Sequence, residues 1–200
     1  MENIFTDIYE RCVWGNNCDN SYKGSSGEGS DVNYNKDTYI PVLKTFIKEN
    51  GVKTVVDLGC GDFRCGSLIY DDLDVTYVGY DAYEKVVKNN GVKFKEPKYK
   101  FIHLDFCGKK NEIVGGDVCI LKDVIQHWEL EKIYEFLDYI VETKKFKYIL
   151  ITNCCQQEQD NTTVTTGGFR PLSCNYLPLK KYGAEKLYNY DTKELSVIRL

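Results

Sequence analysis

Short apolar runs alternate with polar or amphipathic stretches from Gly51 to the end of the chain. This alternation is typical of a parallel sheet whose strands are connected by helices, the α/β class. The apolar runs predict five strands, at residues 53–58, 75–80, 100–104, 117–121 and 147–152. Two further alternating stretches, 184–190 and 194–200, flank the turn residues Asp191 and Thr192 and predict a terminal β-hairpin.

Helical periodicity is clearest between the fourth and fifth predicted strands, over residues 129–143. Apolar side chains there form one stripe on a helix, which covers the sheet: Leu130, Ile133, Leu137, Ile140 and Val141. An earlier helix is expected to begin at a cap formed by Ser30 or Asp31 and to end at Gly51. Pro41 is expected to kink or divide it, because proline lacks the N–H that the helix interior requires.

Two segments show no hydrophobic period. Residues 14–30 are rich in glycine, serine and asparagine and predict an irregular N-terminal arm. Residues 156–179 form a stretch of 24 residues, longer than most connections in a compact domain, which favours a functional loop.

Composition predicts a single folded domain over residues 1–200, since 42% of the side chains are hydrophobic and 14% are aromatic. We expect an arm and helix over 1–50, a cofactor-binding core over 51–155, an acceptor loop over 156–183 and the hairpin over 184–200. The net charge of −4 argues against a nucleic-acid partner. An acidic start and the lack of a long apolar run predict a cytoplasmic protein without a membrane segment. The oligomeric state is not predicted.

Nine cysteines are enough for disulfides, but their odd number and the size of the chain favour free thiols. No CxxC spacing occurs, and His103 and His127 are the only histidines. We therefore expect no metal site. His103 alternates within a strand and is expected to be a core histidine.

The chemistry begins where the first predicted strand runs into Gly59, Cys60 and Gly61, in the sequence VVDLGCGD. Glycines at this point let the backbone turn tightly and approach a ligand. Asp81 follows the second strand, twenty residues beyond Gly61, where a carboxylate can accept hydrogen bonds from ribose hydroxyls. The third glycine of a dinucleotide motif is replaced by Arg64, which disfavours a nicotinamide cofactor.

Two more acids complete the pattern. Asp105 ends the third strand, where it could accept from an adenine amino group, and Asp57 could face a ligand ammonium. This pattern resembles the class I S-adenosylmethionine (SAM)-dependent methyltransferases, over residues 52–155 and the terminal hairpin. The resemblance implies a Rossmann-like sheet of seven mostly parallel strands, ordered 3-2-1-4-5-7-6, with SAM at the carboxyl ends of the first strands.

Four further motifs are similar to a group of small bacterial-type methyltransferase-domain proteins: Trp14-Gly15 before a Ser/Gly stretch, CGDF, KDVIQH and GGFRPL. Asp62 departs from the glycine that many relatives carry. The resemblance places SAM against Trp14, Asp57, Gly59, Cys60, Gly61, Asp81, Ala82, Asp105, Phe106 and Lys122. We expect the N-terminal arm to close over the methionine end of the cofactor.

The residues after the fourth strand lack the NPPY-like tetrapeptide that accompanies amine methylation, which favours oxygen as the acceptor. His127 is the candidate general base, with Asp123 orienting it or binding the acceptor from the same face of a helical turn. Arg170 and Phe169 are expected to bind the acceptor. The polar side chains of the 156–179 loop and the forked guanidinium of Arg170 suggest that the acceptor is a small hydroxyl compound such as a sugar or nucleotide sugar. Alternatively, Arg170 ties this loop to an acid on the body of the protein.

Three other functions stay open. One is a catalytically inactive SAM-binding subunit that stabilises a partner enzyme. Another is methylation of nitrogen or sulfur in a different small molecule. The adjacent Cys154 and Cys155 suggest the sulfur alternative. The third is a nicotinamide-dependent oxidoreductase.

Overall fold

A computed structural model describes residues 1–17 and 21–200 of the chain. Within it, a seven-stranded sheet has the order β3-β2-β1-β4-β5-β7-β6, which confirms the predicted order. Neighbouring strands from β1 to β5 are parallel, whereas β7 is antiparallel to both β5 and β6. The strands are β1 Thr54–Leu58, β2 Thr76–Asp81, β3 Tyr99–His103, β4 Val118–Lys122, β5 Tyr148–Cys154, β6 Glu185–Tyr190 and β7 Lys193–Arg199.

Six α-helices accompany the sheet in the described residues: α1 Glu2–Glu10, α2 Val32–Asn35, α3 Tyr39–Glu49, α4 Arg64–Tyr70, α5 Glu84–Lys93 and α6 Leu130–Thr143. The predicted helix at 129–143 is confirmed as α6. Helix α1 was not predicted, although Ile4, Phe5, Ile8 and Tyr9 have helical spacing. Among these residues no helix has the length and apolar character needed to cross a membrane.

The predicted cap at Asp31 is confirmed, because its carboxylate accepts the N–H groups of Asn33 and Tyr34 at 2.7 and 3.2 Å. The helix is divided, as expected, but the break precedes the proline: α2 ends at Asn35 and α3 begins at Tyr39. Pro41 therefore lies in the first turn of α3. Backbone N–H groups in a first turn have no partner within the helix, so proline is tolerated there.

Both faces of the sheet are buried. Along β1, successive side chains point alternately to the two faces and pack in different core clusters. Val56 and Leu58 pack in one core cluster with Phe136 of α6, while Val55 packs in a second cluster with Leu43 of α3. Helices cover both faces of the sheet and leave its carboxyl edge accessible. A ligand site at that edge is the general arrangement in open α/β sheets.

The described residues of the N-terminal arm, 14–17 and 21–30, are largely irregular, as predicted, with a bridge between Asn16 and Gly24 and a 3₁₀ turn at Glu28–Ser30. Cys18, within this arm, lies outside the described residues. The eight described cysteines carry free thiols.

Candidate active site

A cleft opens at the carboxyl ends of β1, β2, β3 and β4, under α1 and the N-terminal arm. All ten residues predicted to bind the cofactor line it, and so do His127 and Asp123. Phe169 and Arg170 are not among the lining residues. The fold thus brings together side chains from the arm and from the ends of four strands, β1, β2, β3 and β4.

The glycine loop after β1 has backbone angles that favour glycine, with φ of 85° at Gly59 and 52° at Gly61. A β-carbon at Gly59 would lie 2.5 Å from the Val124 side chain. The N–H groups of Gly59 and Cys60 both donate to the carbonyl of Tyr80 on β2, at 2.8 and 2.9 Å. The loop is therefore held tightly against β2 and β4, with its backbone facing the cleft.

Two carboxylates flank this loop, the buried Asp81 and the partly buried Asp57. Asp81 accepts the N–H groups of Gly61 at 3.0 Å and Tyr83 at 2.9 Å, and burial raises its pKa. Asp57 accepts the hydroxyl of Tyr77 at 2.8 Å, and burial raises its pKa to about 6. Within the described residues, neither carboxylate forms an ion pair with lysine or arginine. The inner cleft therefore attracts cations.

Asp62, which takes the place of a glycine in the motif that the sequence resembles, has a structural partner. Its carboxylate pairs with the Arg64 guanidinium at 2.8 Å from Nε and 2.5 Å from Nη2. Its N–H donates to Ser26 Oγ at 2.9 Å, and that hydroxyl lies 3.0 Å from the Tyr9 hydroxyl. The departure from glycine thus links the loop to the N-terminal arm and α1.

Asp105, at the end of β3, also contacts α1. Its Oδ2 accepts the amino group of Met1 at 2.7 Å and the N–H of Glu2 at 3.1 Å. Oδ1 accepts the N–H of Gly108 at 3.3 Å. The carboxylate lines the cleft and secures the helix that covers it.

Asp123 lies between two ammonium groups. Lys122 Nζ is 2.7 Å from its Oδ2, and Lys193 Nζ, from β7, is 2.5 Å from its Oδ1. Burial opposes ionisation, but the two lysines outweigh it and hold the pKa of Asp123 at about 2. Asp123 is thus a permanently ionised partner of two lysines at neutral pH.

The expected helical turn from Asp123 to His127 is wrong. Asp123 has a left-handed backbone with φ of 58°, and a 3₁₀ turn covers Ile125–His127. The two side chains share no hydrogen bond; Gln126 lies between them. Its Nε2 is 3.3 Å from Asp123 Oδ1 and 3.4 Å from His127 Nε2. Its Oε1 accepts the N–H of Cys154 at 3.0 Å, which orients the amide.

One ring nitrogen of His127 forms a hydrogen bond to the protein backbone. Nδ1 lies 2.7 Å from the carbonyl oxygen of Gly168, which can only accept, so Nδ1 is assigned the proton and Nε2 the lone pair. Burial lowers the pKa of His127. The Trp14 ring lies 5.1 Å from the imidazole and the Phe169 ring 6.1 Å, measured between centroids. His127 is thus a neutral imidazole among aromatic rings.

The surroundings of Arg170 match neither expectation, that it binds the acceptor in the cleft or that it ties the loop to an acid on the body of the protein. It is 3% exposed, and its Nη1 donates to the carbonyl of Trp128 at 2.6 Å. Among residues 1–17 and 21–200, Nε and Nη2 have no hydrogen-bond partner, and burial lowers the pKa to about 10. The guanidinium is not among the groups that line the cleft, and in the same residues it pairs with no acid. It holds the loop to the backbone that follows His127.

Sequence reasoning missed Gln126 and Lys193. Gln126 gave no signal beyond its place before His127, and Lys193 lies seventy residues from Asp123 along the chain. Only the antiparallel pairing of β7 with β5, which puts Lys193 opposite Cys154, brings the lysine to this edge.

Comparisons with solved structures agree with this architecture. The chain is similar to human N-acetylserotonin methyltransferase in complex with SAM, at 16% identity and a TM-score of 0.63, over 81% of this chain and 51% of that one. It is also similar to the methyltransferase domain of bacterial CtHen1-C, at 14% identity and a TM-score of 0.63, over 85% of this chain and 99% of that one. A third similar structure is the mitomycin 7-O-methyltransferase MmcR, at 16% identity and a TM-score of 0.60, over 80% of this chain and 54% of that one.

The chain has the class I methyltransferase fold, which these three structures share with it. It spans about half the length of the human enzyme and nearly the whole CtHen1-C domain. No protein-family model and no curated protein sequence matches it.

Proposed function

We propose that this chain is a SAM-dependent methyltransferase that methylates a hydroxyl oxygen of a small molecule. The observation that carries the proposal is the pair of cleft carboxylates at the glycine loop, the buried Asp81 and the partly buried Asp57. SAM carries a sulfonium and an ammonium, whereas a nicotinamide dinucleotide carries two phosphate charges. Carboxylates that form no ion pair with lysine or arginine within the described residues suit the cationic groups of SAM better than the phosphates of a dinucleotide.

The residues present fit this cofactor. Each oxygen of Asp81 accepts one backbone N–H and keeps a lone pair for a ribose hydroxyl. Asp57 offers a carboxylate for the ammonium. Ala82, Asp105 and Phe106 would hold the adenine at the ends of β2 and β3. Lys122 and Trp14 would border the methionine end.

The bound sulfonium would supply an electrophilic methyl group, so the protein has to position the acceptor and exclude water. His127 Nε2 would take the hydroxyl proton as the new O–CH₃ bond forms and the S–CH₃ bond breaks. A lowered pKa keeps this imidazole neutral, and thus able to accept a proton, at pH 7. Asp123 does not compete for the proton, since two lysines keep it ionised.

Two structural neighbours, named as N-acetylserotonin methyltransferase and mitomycin 7-O-methyltransferase, add support for methyl transfer, and the second for oxygen as the acceptor. The sugar hypothesis has less support. It relied on the Arg170 fork, which is buried away from the cleft. An inactive subunit is disfavoured by the cleft position of His127 and by the lone pair assigned to its Nε2, which has only a long contact of 3.4 Å with the Gln126 amide.

Calorimetry with SAM, with its demethylated product S-adenosylhomocysteine (SAH) and with NADH tests the cofactor. We expect micromolar binding of SAM and SAH and none of NADH. Binding of NADH alone would overturn the proposal. If SAM binds, transfer of a labelled methyl group by the isolated chain distinguishes an enzyme from an inactive subunit.

A further inference from the structure

We infer that the acceptor presents a flat aromatic ring bearing the hydroxyl, held by an aromatic rim formed by Trp14, His127 and Phe169. The inference rests on the proposed methyl transfer and names its substrate class. Geometry, exposure and hydrogen bonding support it separately.

The rim is a continuous set of rings beside the candidate base. Trp14 and His127 both line the cleft, with centroids 5.1 Å apart, and Phe169 continues the set 6.1 Å from His127. Phe5 of α1 backs Trp14 at 6.0 Å. A planar ring that enters beside His127 would meet aromatic faces and edges, an arrangement that stabilises ring pairs.

Exposed apolar side chains lie near the rim. Phe169 is 56% exposed, and Val13, next to Trp14, is 58% exposed. Ile4 of α1 is 41% exposed and contacts the loop, since a β-carbon at Gly167 would lie 2.9 Å from its Cγ2. An apolar patch beside a reaction cleft is typical of a binding site for an apolar ligand.

Three polar side chains of the 156–179 loop are engaged elsewhere. Gln157 donates to the carbonyls of Gln159 and Leu177, both at 2.8 Å. The Thr166 hydroxyl donates to Glu129 at 3.0 Å, and Asn161 Oδ1 accepts from Tyr134 at 2.5 Å. A sugar would need several donors and acceptors at the rim, and these groups are already paired. At the rim, His127 Nε2 can accept a single hydroxyl in place of its long contact, 3.4 Å, with the Gln126 amide.

The chemistry of the proton agrees with the geometry. A phenol hydroxyl has a pKa of about 10. An aliphatic hydroxyl is a far weaker acid, close to water at about 15.7. An imidazole with a lowered pKa is a weak base, so it can assist a phenol more readily than an alcohol.

The test compares three hydroxyl-bearing probes on SAH-saturated protein: the aromatic 2-naphthol, its saturated counterpart decahydro-2-naphthol, and the polar methyl glucoside. Calorimetry should show 2-naphthol binding at least tenfold more tightly than either of the others. Phe169→Ala should weaken 2-naphthol binding at least fivefold without changing the affinity for SAH. Phe169→Tyr should retain most of it.

The matched control is Val114→Ala, because Val114 is also exposed, at 44%, but precedes β4 at the opposite edge of the sheet. It should alter neither affinity. Equal binding of the three probes, preference for the glucoside, no binding of 2-naphthol or no effect of Phe169→Ala would each overturn the inference. A failure of SAH to bind would instead count against the proposed function.

Discussion

Gln126 Nε2 lies 3.4 Å from His127 Nε2, so the candidate base has an amide donor directed at its lone pair. The same amide donates to Asp123 at 3.3 Å, and its oxygen is occupied by the N–H of Cys154 at 3.0 Å. Gln126 cannot rotate by half a turn without losing that bond. It therefore acts as a positioning residue that favours the Nδ1–H form of His127.

We predict that Gln126→Glu raises the pKa of His127, because a carboxylate in place of the amide stabilises the imidazolium. The other charged groups that face His127 are Asp123, Lys193 and Arg170, and the substitution leaves them in place. Nuclear magnetic resonance on protein with labelled histidine measures the titration directly. Below pH 7 the variant should also transfer methyl groups more slowly.

His103→Gln is the control for that experiment, because it leaves His127 as the chain's only histidine and assigns its signals. It should leave the His127 titration unchanged. An unaltered titration in Gln126→Glu, or a wild-type imidazole with its proton on Nε2, would contradict the positioning role.

Asp57→Asn is expected to stabilise the free protein while weakening the binding of SAM. The folded-state pKa of about 6 lies above the unfolded value near 3.8, so the free energy of unfolding falls as pH rises between these values. At pH 7 this costs about 1 to 3 kcal/mol. Urea unfolding at pH 4 and pH 7 should show the stability gain only at the higher pH, and calorimetry should show lower affinity for SAM.

Asp81→Ala should weaken binding of SAM and SAH by about 1.5 to 3 kcal/mol, through lost charge-assisted hydrogen bonds to the ribose. Asp74→Ala is the matched control, because Asp74 is a fully exposed carboxylate before β2 begins. Calorimetry should show an effect only for Asp81. Equal affinities in both variants would remove Asp81 from the cofactor site.

Asp123→Asn should destabilise the fold by about 3 to 5 kcal/mol, because it leaves the buried ammonium of Lys193 without a carboxylate. Adding Lys193→Met should recover part of the loss by removing the uncompensated charge. Urea unfolding measures both. If the double variant is less stable than the sum of the single ones, the pair is not the source of the effect.

Arg170→Ala should lower the free energy of unfolding by about 1 to 3 kcal/mol, since it removes the bond to the Trp128 carbonyl and the packing of a buried side chain. Affinity for SAH should not change. Exposed Arg11→Ala provides a comparison with little expected effect. A normal melting temperature combined with weaker acceptor binding would restore the acceptor role that the sequence suggested.

The hydrophobic pattern determined the architecture of this protein. Runs of apolar residues marked strands β1 to β5 within two residues, because strands covered by helices on both faces have to be apolar throughout. Glycines at 59 and 61 and the acid at 81 also indicated the ligand edge, since each follows directly from where a strand ends. The positions predicted for the cofactor all line one cleft for the same reason.

The tertiary structure alone decided what each polar group does. Arg170 in GGFRPL has the sequence of a ligand-binding fork, but the fold buries it against the Trp128 carbonyl. The sequence predicted that Asp123 orients His127. In the fold, Asp123 instead pairs with Lys193, which lies on the antiparallel strand β7. Local sequence determines where strands and turns form, because backbone preferences and side-chain burial act over a few residues. The charge and the hydrogen bonds of a side chain depend on partners distant in the chain, and only the packed sheet brings those partners within reach.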